Sequence, residues 1–351
     1  MKANRQTIGV GVVGIGFGQA VHVPALRLDK RFEVKAICAS SQERAEKVAE
    51  KLNIPYAYGQ WEQLINNPHI HAITIATPPV LHHKIAVASL KAGKHVFCEK
   101  PLSVSLEKAE EMVKAVPTSD RANMIDLEFI CVPEFMLAKQ LLDEGAIGPL
   151  RHIHISWHVE TYANRKGFSN WKMSIENGGG TLFSFCSHCF HYLEWFLGPL
   201  IKIQSFLYKL PDDTRSGDVL VQLNFEFFSG VLGSASVSTD SPGGCGHRIE
   251  FFCENGGLYL HNRTNDYING FSVYIKKRDG IERHTVDAEK SIESGNDDSR
   301  IKVAGLMFKR FGDWIESGIP QRPDFEDGLR VQYLLDAAKR SHEAGGIWVK
   351  L

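Results

Sequence analysis

The chain has 351 residues, 43% hydrophobic and 23% charged, with a formal net charge of -1 at pH 7. That length exceeds one ordinary core and suits two domains, and the near-neutral balance gives no electrostatic reason to expect nucleic acid or an anionic membrane as partner. No apolar run approaches a bilayer-spanning length, the first residues lack the apolar stretch of a secretory leader, and seven scattered cysteines point to reduced thiols in a cytoplasm.

In chain order, Ile8–Val13 predicts an apolar strand that runs into glycines. Phe32–Cys38 predicts a second strand, followed by a helix from Gln42. Ala72–Ala76 and His95–Cys98 predict two more strands, and Ile85–Leu90 and Leu106–Val116 predict helices. Short buried strands alternating with amphipathic helices imply an α/β domain, a doubly wound parallel sheet, over residues 1–124.

After Asn123–Asp126 the rhythm changes. A helix is expected from Pro133 to Glu144, then longer strands at His152–Val159, Ile203–Leu210, Leu220–Phe228, Val231–Ser238 and Arg248–Cys253. Asp287–Arg300 reads as a polar loop, and helices are expected near Ile301–Ser317 and Asp327–Ala344. Residues 125–351 are therefore expected to form an α+β domain with a large open, mainly antiparallel sheet, for substrate binding and oligomerisation. Its helices suffice for one face of the sheet, so the other is expected to be buried between subunits in a homodimer or homotetramer.

Gly14, Ile15, Gly16, Phe17 and Gly18 stand where the first strand hands over to the first helix. A glycine turn there lets backbone N–H groups approach a pyrophosphate, which makes these five residues candidates for dinucleotide binding. The usual third glycine would fall at position 19, where Gln19 stands. At the end of the second strand, where an acid usually holds the ribose 2′-hydroxyl of NAD, the chain reads Ala39-Ser40-Ser41, with Arg44 a turn later. Two hydroxyls and a cation suit a 2′-phosphate, which favours NADP over NAD. Alternatively one serine caps the helix and Arg44 is solvated.

Several motifs together resemble the Gfo/Idh/MocA oxidoreductases. These are Cys98-Glu99-Lys100-Pro101 after the fifth strand, Thr77-Pro78 and His82 upstream of it, and Gly178-Gly179-Gly180 before a helix bearing Ser187-His188. The second domain looks closest to the branch of glucose-fructose-oxidoreductase-domain-containing proteins. The resemblance implies an NAD(P)-dependent oxidoreductase that moves hydride between the nicotinamide and a carbinol or carbonyl carbon of a sugar, cyclitol or sugar derivative. It implies that Thr77, Pro78, His82, Glu99 and Lys100 line the cofactor site. Lys100 would hydrogen-bond the reacting oxygen, and a partly desolvated amine near a nicotinamide cation could share its proton. His188 matches the family's acid/base histidine.

The neighbours of His188 depart from the family pattern. Ser184 stands where an aspartate is usual, His191 replaces a second frequent aspartate, and Ile130 replaces a frequent arginine. On a regular helix, positions 184, 188 and 191 share a face, so Ser184 and His191 are read as support for His188. Serine offers orientation without the charge that would stabilise an imidazolium.

Cys186, His188, Cys189 and His191 have the residue types of a zinc site. One short helix rarely supplies four tetrahedral ligands, so no metal is expected and the cysteines read as small packing groups. His152, His154 and His158 fall on one sheet face by their spacing of two, and Trp157, Trp171 and Tyr162 could stack on a sugar ring or fill the core. Beside the dehydrogenase stand a hydrolase or lyase that retains its cofactor for transient oxidation, and a dinucleotide-binding protein without turnover.

Overall fold

The computed structural model describes residues 7–116, 121–264, 266–285 and 298–351. It divides into two compact units, Met1–Leu127 with Arg300–Gln332, and Glu128–Ser299 with Tyr333–Leu351. The sequence reading keeps residues 300–332 with the second domain. In the structure the rings of the helix Arg300–Ser317 pack on the first: Phe308 lies 4.4 Å from Phe97 between ring centroids, and Phe311 stacks on Phe32 at 6.3 Å. Of the expected loop Asp287–Arg300, residues 287–297 lie outside the described residues.

The first unit runs β1 (Ile8–Val13), α1 (Val23–Leu26), β2 (Phe32–Cys38), α2 (Gln42–Leu52), β3 (Tyr56–Tyr58), α3 (Trp61–Ile65), β4 (Ala72–Ile75), α4 (His82–Lys91), β5 (His95–Cys98), α5 (Leu106–Lys114) and β6 (Asn123–Ile125). Its strands pair in the order β3-β2-β1-β4-β5-β6, all parallel. β1 and β4 are buried along their whole length, as continuous apolar strands must be when both sheet faces are covered. The order reverses between β1 and β4, and ligands of open α/β sheets bind beyond the strands' carboxyl ends at such a switch point. In this unit the sequence reading overlooks the short edge strand β3 and the one-turn helix α3.

The second unit holds α6 (Pro133–Asp143), β7 (Leu150–His158), α7 (Tyr162–Arg165), α8 (Ser187–Leu197), β8 (Leu200–Tyr208), β9 (Leu220–Phe227), β10 (Leu232–Ser238), β11 (Gly246–Cys253), β12 (Gly256–Asn262), β13 (Phe271–Lys277), β14 (Gly280–His284) and β15 (Val349–Lys350). The nine strands follow the order β14-β13-β12-β11-β7-β10-β9-β8-β15, antiparallel except where β10 meets β7. Alternation sorts the faces. Ile153, Ile155 and Trp157 point to a core shared with Phe135 of α6 and Phe190, Tyr192 and Leu193 of α8. The opposite face carries a polar ladder, in which His154 pairs with Ser234 (2.9 Å), His158 with Ser236 (2.7 Å) and Asn224 with Gln204 (3.0 Å). Trp157 is core at 2% exposure, whereas Tyr162 is 60% exposed. Among the described residues no helix is long and apolar enough to cross a membrane, and all seven cysteines are free, with only Cys245 exposed.

Candidate functional site

The candidate cofactor residues gather at the carboxyl ends of β1, β2, β4 and β5. Gly14 turns the chain at φ +109°, and its N–H donates to the Cys38 carbonyl at 2.9 Å. A Cβ on Gly14 would lie 2.3 Å from the Ala76 carbonyl oxygen, so this glycine is required by close backbone approach. A Cβ on Gly18 would lie 2.9 Å from Cγ1 of Val12, which lets the helical turn sit tight on its strand. Around Gly16 nothing lies within 4 Å of such an atom. No neighbour inside the protein forbids a side chain there, whereas a ligand lying on the turn would, and the turn therefore fits a dinucleotide. Ile15 is half-buried, and the half-buried Phe17 ring lies under the Arg300 guanidinium at 5.2 Å. Where a plain helix was expected, a π-turn over Gly18–His22 precedes α1.

At the end of β2, Ser41 caps α2 by accepting the Arg44 N–H at 3.4 Å, while Arg44 Nη1 donates to Ser40 Oγ at 2.7 Å. The capping role and the paired hydroxyl and cation therefore coexist, all three residues exposed and Ala39 buried behind them.

The loops after β4 and β5 are joined by His82. It is fully buried, with Nε2 2.9 Å from the Thr77 carbonyl and Nδ1 2.9 Å from the Pro101 carbonyl. Burial lowers its pKa, partly opposed by those two carbonyls. His82 thus braces the Thr77-Pro78 and Lys100-Pro101 segments, with its ring turned inward. Glu99 follows β5, and its N–H donates to the Ile75 carbonyl at 2.9 Å. Its carboxylate meets two residues that sequence reasoning missed. His22 Nε2 lies 3.0 Å from Glu99 Oε1 and 3.9 Å from Asp126 Oδ2. Burial opposes ionisation of Glu99, but the His22 bond, the His22 and Lys100 charges and a bond from Asp126 outweigh it, and the carboxyl ionises below its usual range. Among the described residues, these three form the group of His, Cys or carboxylate donors close enough to hold a metal ion, all within 4.8 Å of one another. The Cys186–His191 segment forms no such group.

In the second unit, Gly178 and Gly180 adopt φ +81° and +92°, and a Cβ on Gly180 would lie 2.4 Å from Asp218 Oδ1. The glycine run thus lets the chain pass over a buried carboxylate. Asp218 Oδ2 accepts the Leu182 N–H at 2.9 Å, and the Thr181 N–H donates to the Asp218 carbonyl at 2.9 Å. Burial pushes the Asp218 pKa up to about 6, against the pull of those N–H groups. Asp218 is a further residue that the sequence did not single out.

The helix it supports is not regular. Leu182–Cys186 form a π-turn, and α8 starts at Ser187. His188 and His191 share α8, and Ser184 lies in the wider turn that precedes it. His188 is 3% exposed with its ring edge-on to Phe129 at 4.9 Å, and Ser184 and His191 are half-buried. Ile130 is buried in the turn Glu128–Cys131.

The family model described as an oxidoreductase family with an NAD-binding Rossmann fold matches residues 8–127, and the GFO/IDH/MocA C-terminal domain model matches residues 135–259. The chain belongs to the Gfo/Idh/MocA oxidoreductases. An uncharacterised oxidoreductase of Synechocystis sp. is 30% identical, the alignment covering 95% of this chain and 94% of that one. Myo-inositol 2-dehydrogenase of Thermotoga maritima is 26% identical over 95% and 96% of the two chains. Among solved structures, levoglucosan dehydrogenase in complex with NADH and L-sorbose superposes with a TM-score of 0.87 at 23% identity, covering 98% of this chain and 99% of that one, which shows the shared fold. For a Gfo/Idh/MocA oxidoreductase, the crowded Gly14 and the open Gly16 are the local expression of that Rossmann fold.

Proposed function

We propose that the chain is an NAD(P)-dependent dehydrogenase or reductase that transfers hydride between the nicotinamide and a carbinol or carbonyl carbon of a sugar, cyclitol or sugar derivative. The observation that carries this reading is the braced Glu99-Lys100-Pro101 loop at the carboxyl end of β5, in a family whose relatives include a myo-inositol 2-dehydrogenase. Gly14, Ile15, Gly16, Phe17, Gly18, Thr77 and Pro78 would hold the dinucleotide with Lys100 lying beside its nicotinamide, and Ser40, Ser41 and Arg44 would favour the 2′-phosphate of NADP. The bound nicotinamide supplies the hydride acceptor or donor.

Lys100 hydrogen-bonds the reacting oxygen and takes its proton on oxidation, because a carbinol that loses hydride must also lose the hydroxyl proton. His188 is the second proton-handling group, oriented by the helix that Asp218 supports. Here Ser184 offers orientation without charge. The active form is a homodimer or homotetramer joined through the polar face of the nine-stranded sheet, and free thiols suit a reducing cytoplasm. Absorbance of reduced nicotinamide, followed while NAD⁺ or NADP⁺ is offered with myo-inositol, levoglucosan and simple aldoses, tests the reading. Turnover with at least one of these polyols is expected, and absence of dinucleotide binding contradicts it.

A further inference from the structure

Phe17 stands between Gly16 and Gly18, and its ring is held from the protein side. It meets His22 at 5.5 Å between ring centroids, and His22 meets Phe308 of the helix Arg300–Ser317 at 5.3 Å. That helix is fastened to the first unit along its length. Besides the contacts of Phe308 and Phe311, Arg31 Nη1 donates to Asp313 Oδ1 at 2.7 Å and Arg31 Nη2 to the Lys309 carbonyl at 3.0 Å. The sequence reading places Arg300 at the end of a polar loop. In the structure it is the first residue of this helix, in the same unit as Phe17, and its guanidinium carbon lies over the Phe17 ring at 5.2 Å. A cation is attracted to the face of an aromatic ring, and a ring face uses none of a guanidinium's N–H donors. The first turn of the helix holds no acidic residue, and its positive dipole end has the same sign as the Arg300 charge.

We propose that Arg300 is a further cofactor-binding residue: carried on the Phe17 ring beside the glycine turn, its guanidinium pairs with the pyrophosphate of the dinucleotide. The backbone N–H groups of the turn offer a pyrophosphate dipoles but no full charge. A guanidinium supplies that charge, and its planar fork of N–H groups matches phosphate oxygens. The open Gly16 is the residue next to Phe17, so the space left for the ligand adjoins the ring that carries the cation. The half-buried Phe17 then has a task of its own in a turn of small residues, as the platform that holds Arg300. Because the helix is clamped to the first unit through Phe308, Phe311 and Arg31, the Arg300 backbone is set in place before any ligand arrives. Arg44 and Arg300 divide the cofactor between them, the one at the ribose 2′ position beyond β2 and the other at the phosphate bridge beyond β1.

The inference rests on the reading of the glycine turn as a dinucleotide site, and its test needs no substrate. Calorimetry on the full chain compares NAD⁺, NADP⁺ and ADP-ribose, the last of which keeps the pyrophosphate and lacks the nicotinamide. Arg300→Gln is expected to weaken all three by a similar factor, roughly ten- to a hundredfold, the range for losing a charge-assisted bond. Arg300→Met keeps an unbranched apolar stem over Phe17 and is expected to lose as much, whereas Arg300→Lys keeps the charge and should lose less. Raising the salt to about 1 M should weaken binding more in wild type than in Arg300→Gln, because it screens the pairing that the variant lacks. Wild-type affinity in Arg300→Gln and Arg300→Met overturns the proposal. So does a loss confined to NADP⁺, which would place Arg300 at the 2′-phosphate. A loss in Arg300→Gln that comes with a lowered Tm and is absent from Arg300→Met makes Arg300 a packing residue and also overturns it. Failure of the wild type to bind any of the three ligands would instead sink the reading of the turn, and the two failures are told apart.

Discussion

Arg44 reaches back one helical turn to donate from Nη1 to the hydroxyl of Ser40 at 2.7 Å. The pair stands at the end of β2, in the place where an NAD-selective Rossmann domain carries an acid for the ribose 2′-hydroxyl. A cation held at that point by a neutral hydroxyl leaves its other N–H groups to a phosphate. Arg44→Ala should weaken NADP binding about tenfold or more, since a charge-assisted bond contributes roughly 1.5–3 kcal/mol. NAD binding should change by less than about twofold. Calorimetric titration with both dinucleotides checks this, and equal losses for the two would show that Arg44 does not read the 2′ position.

Gly14 and Gly16, two residues apart, should respond to alanine in opposite ways. Gly14→Ala places a methyl against the Ala76 carbonyl at positive φ, so it should lower stability by roughly 1–3 kcal/mol, seen as a fall in Tm. Gly16→Ala meets nothing in the protein and should leave Tm unchanged while weakening dinucleotide binding. Unfolding and calorimetry on the same two proteins separate the effects. A Gly16→Ala protein that binds dinucleotide as wild type would remove the turn from the cofactor site.

Acid should destabilise the chain before its carboxylates are protonated. His247 is buried, stacked on Trp157 at 4.1 Å, and burial followed by the charge of His261 pushes its pKa down to about 3. His71 Nδ1 accepts the Gly9 N–H at 2.9 Å and His95 Nδ1 accepts the Ala122 N–H at 3.0 Å, and burial lowers the pKa of both rings, His95 to about 4. Each binds its proton in the unfolded chain near pH 6.5 but not in the fold. Stability is therefore full above pH 6.5 and drains as pH falls toward 3. His247 alone accounts for roughly 2 kcal/mol between pH 7 and pH 5. Urea unfolding at the two pH values should show this loss, and in His247→Phe the difference should shrink. A pH-independent midpoint over that range would contradict it.

The fold was legible where local pattern reflects burial. Ile8–Val13 and Ala72–Ile75 read as buried strands because a parallel sheet covered on both faces needs unbroken apolar runs. Ile153, Ile155 and Trp157 alternate with His152, His154 and His158 because that strand has one dry face. β12 to β14 were not marked as strands, since Gly256 and Gly257 read as a turn and the exposed β14 carries little apolar pattern. The helix Arg300–Ser317 was visible, but its place in the first unit was not: only tertiary packing puts Phe308 against Phe97. The candidate site was legible as motifs. The groups that hold those motifs were not, because His22 and Glu99 stand 77 residues apart and no periodicity links them. Nor does any residue announce the π-turn over Leu182–Cys186 in which Ser184 lies.

The polar ladder on the open sheet face should be an interface between copies of the chain. Light scattering at micromolar concentration should give a mass of two or four chains. Replacing His154 and His158 together by glutamate should shift it toward the monomer, because like charges would then oppose their symmetry mates. A wild-type monomer at that concentration would contradict the assembly.

The most direct measurement is the effect of Lys100→Ala on hydride transfer and on dinucleotide affinity in one preparation, with a polyol that the wild type oxidises. A group that touches the reacting oxygen matters in the transition state, so kcat should fall by on the order of a hundred- to ten-thousandfold. Dinucleotide affinity should stay within about twofold of wild type, because that contact contributes little to binding the cofactor itself. Wild-type kcat in Lys100→Ala would contradict the account.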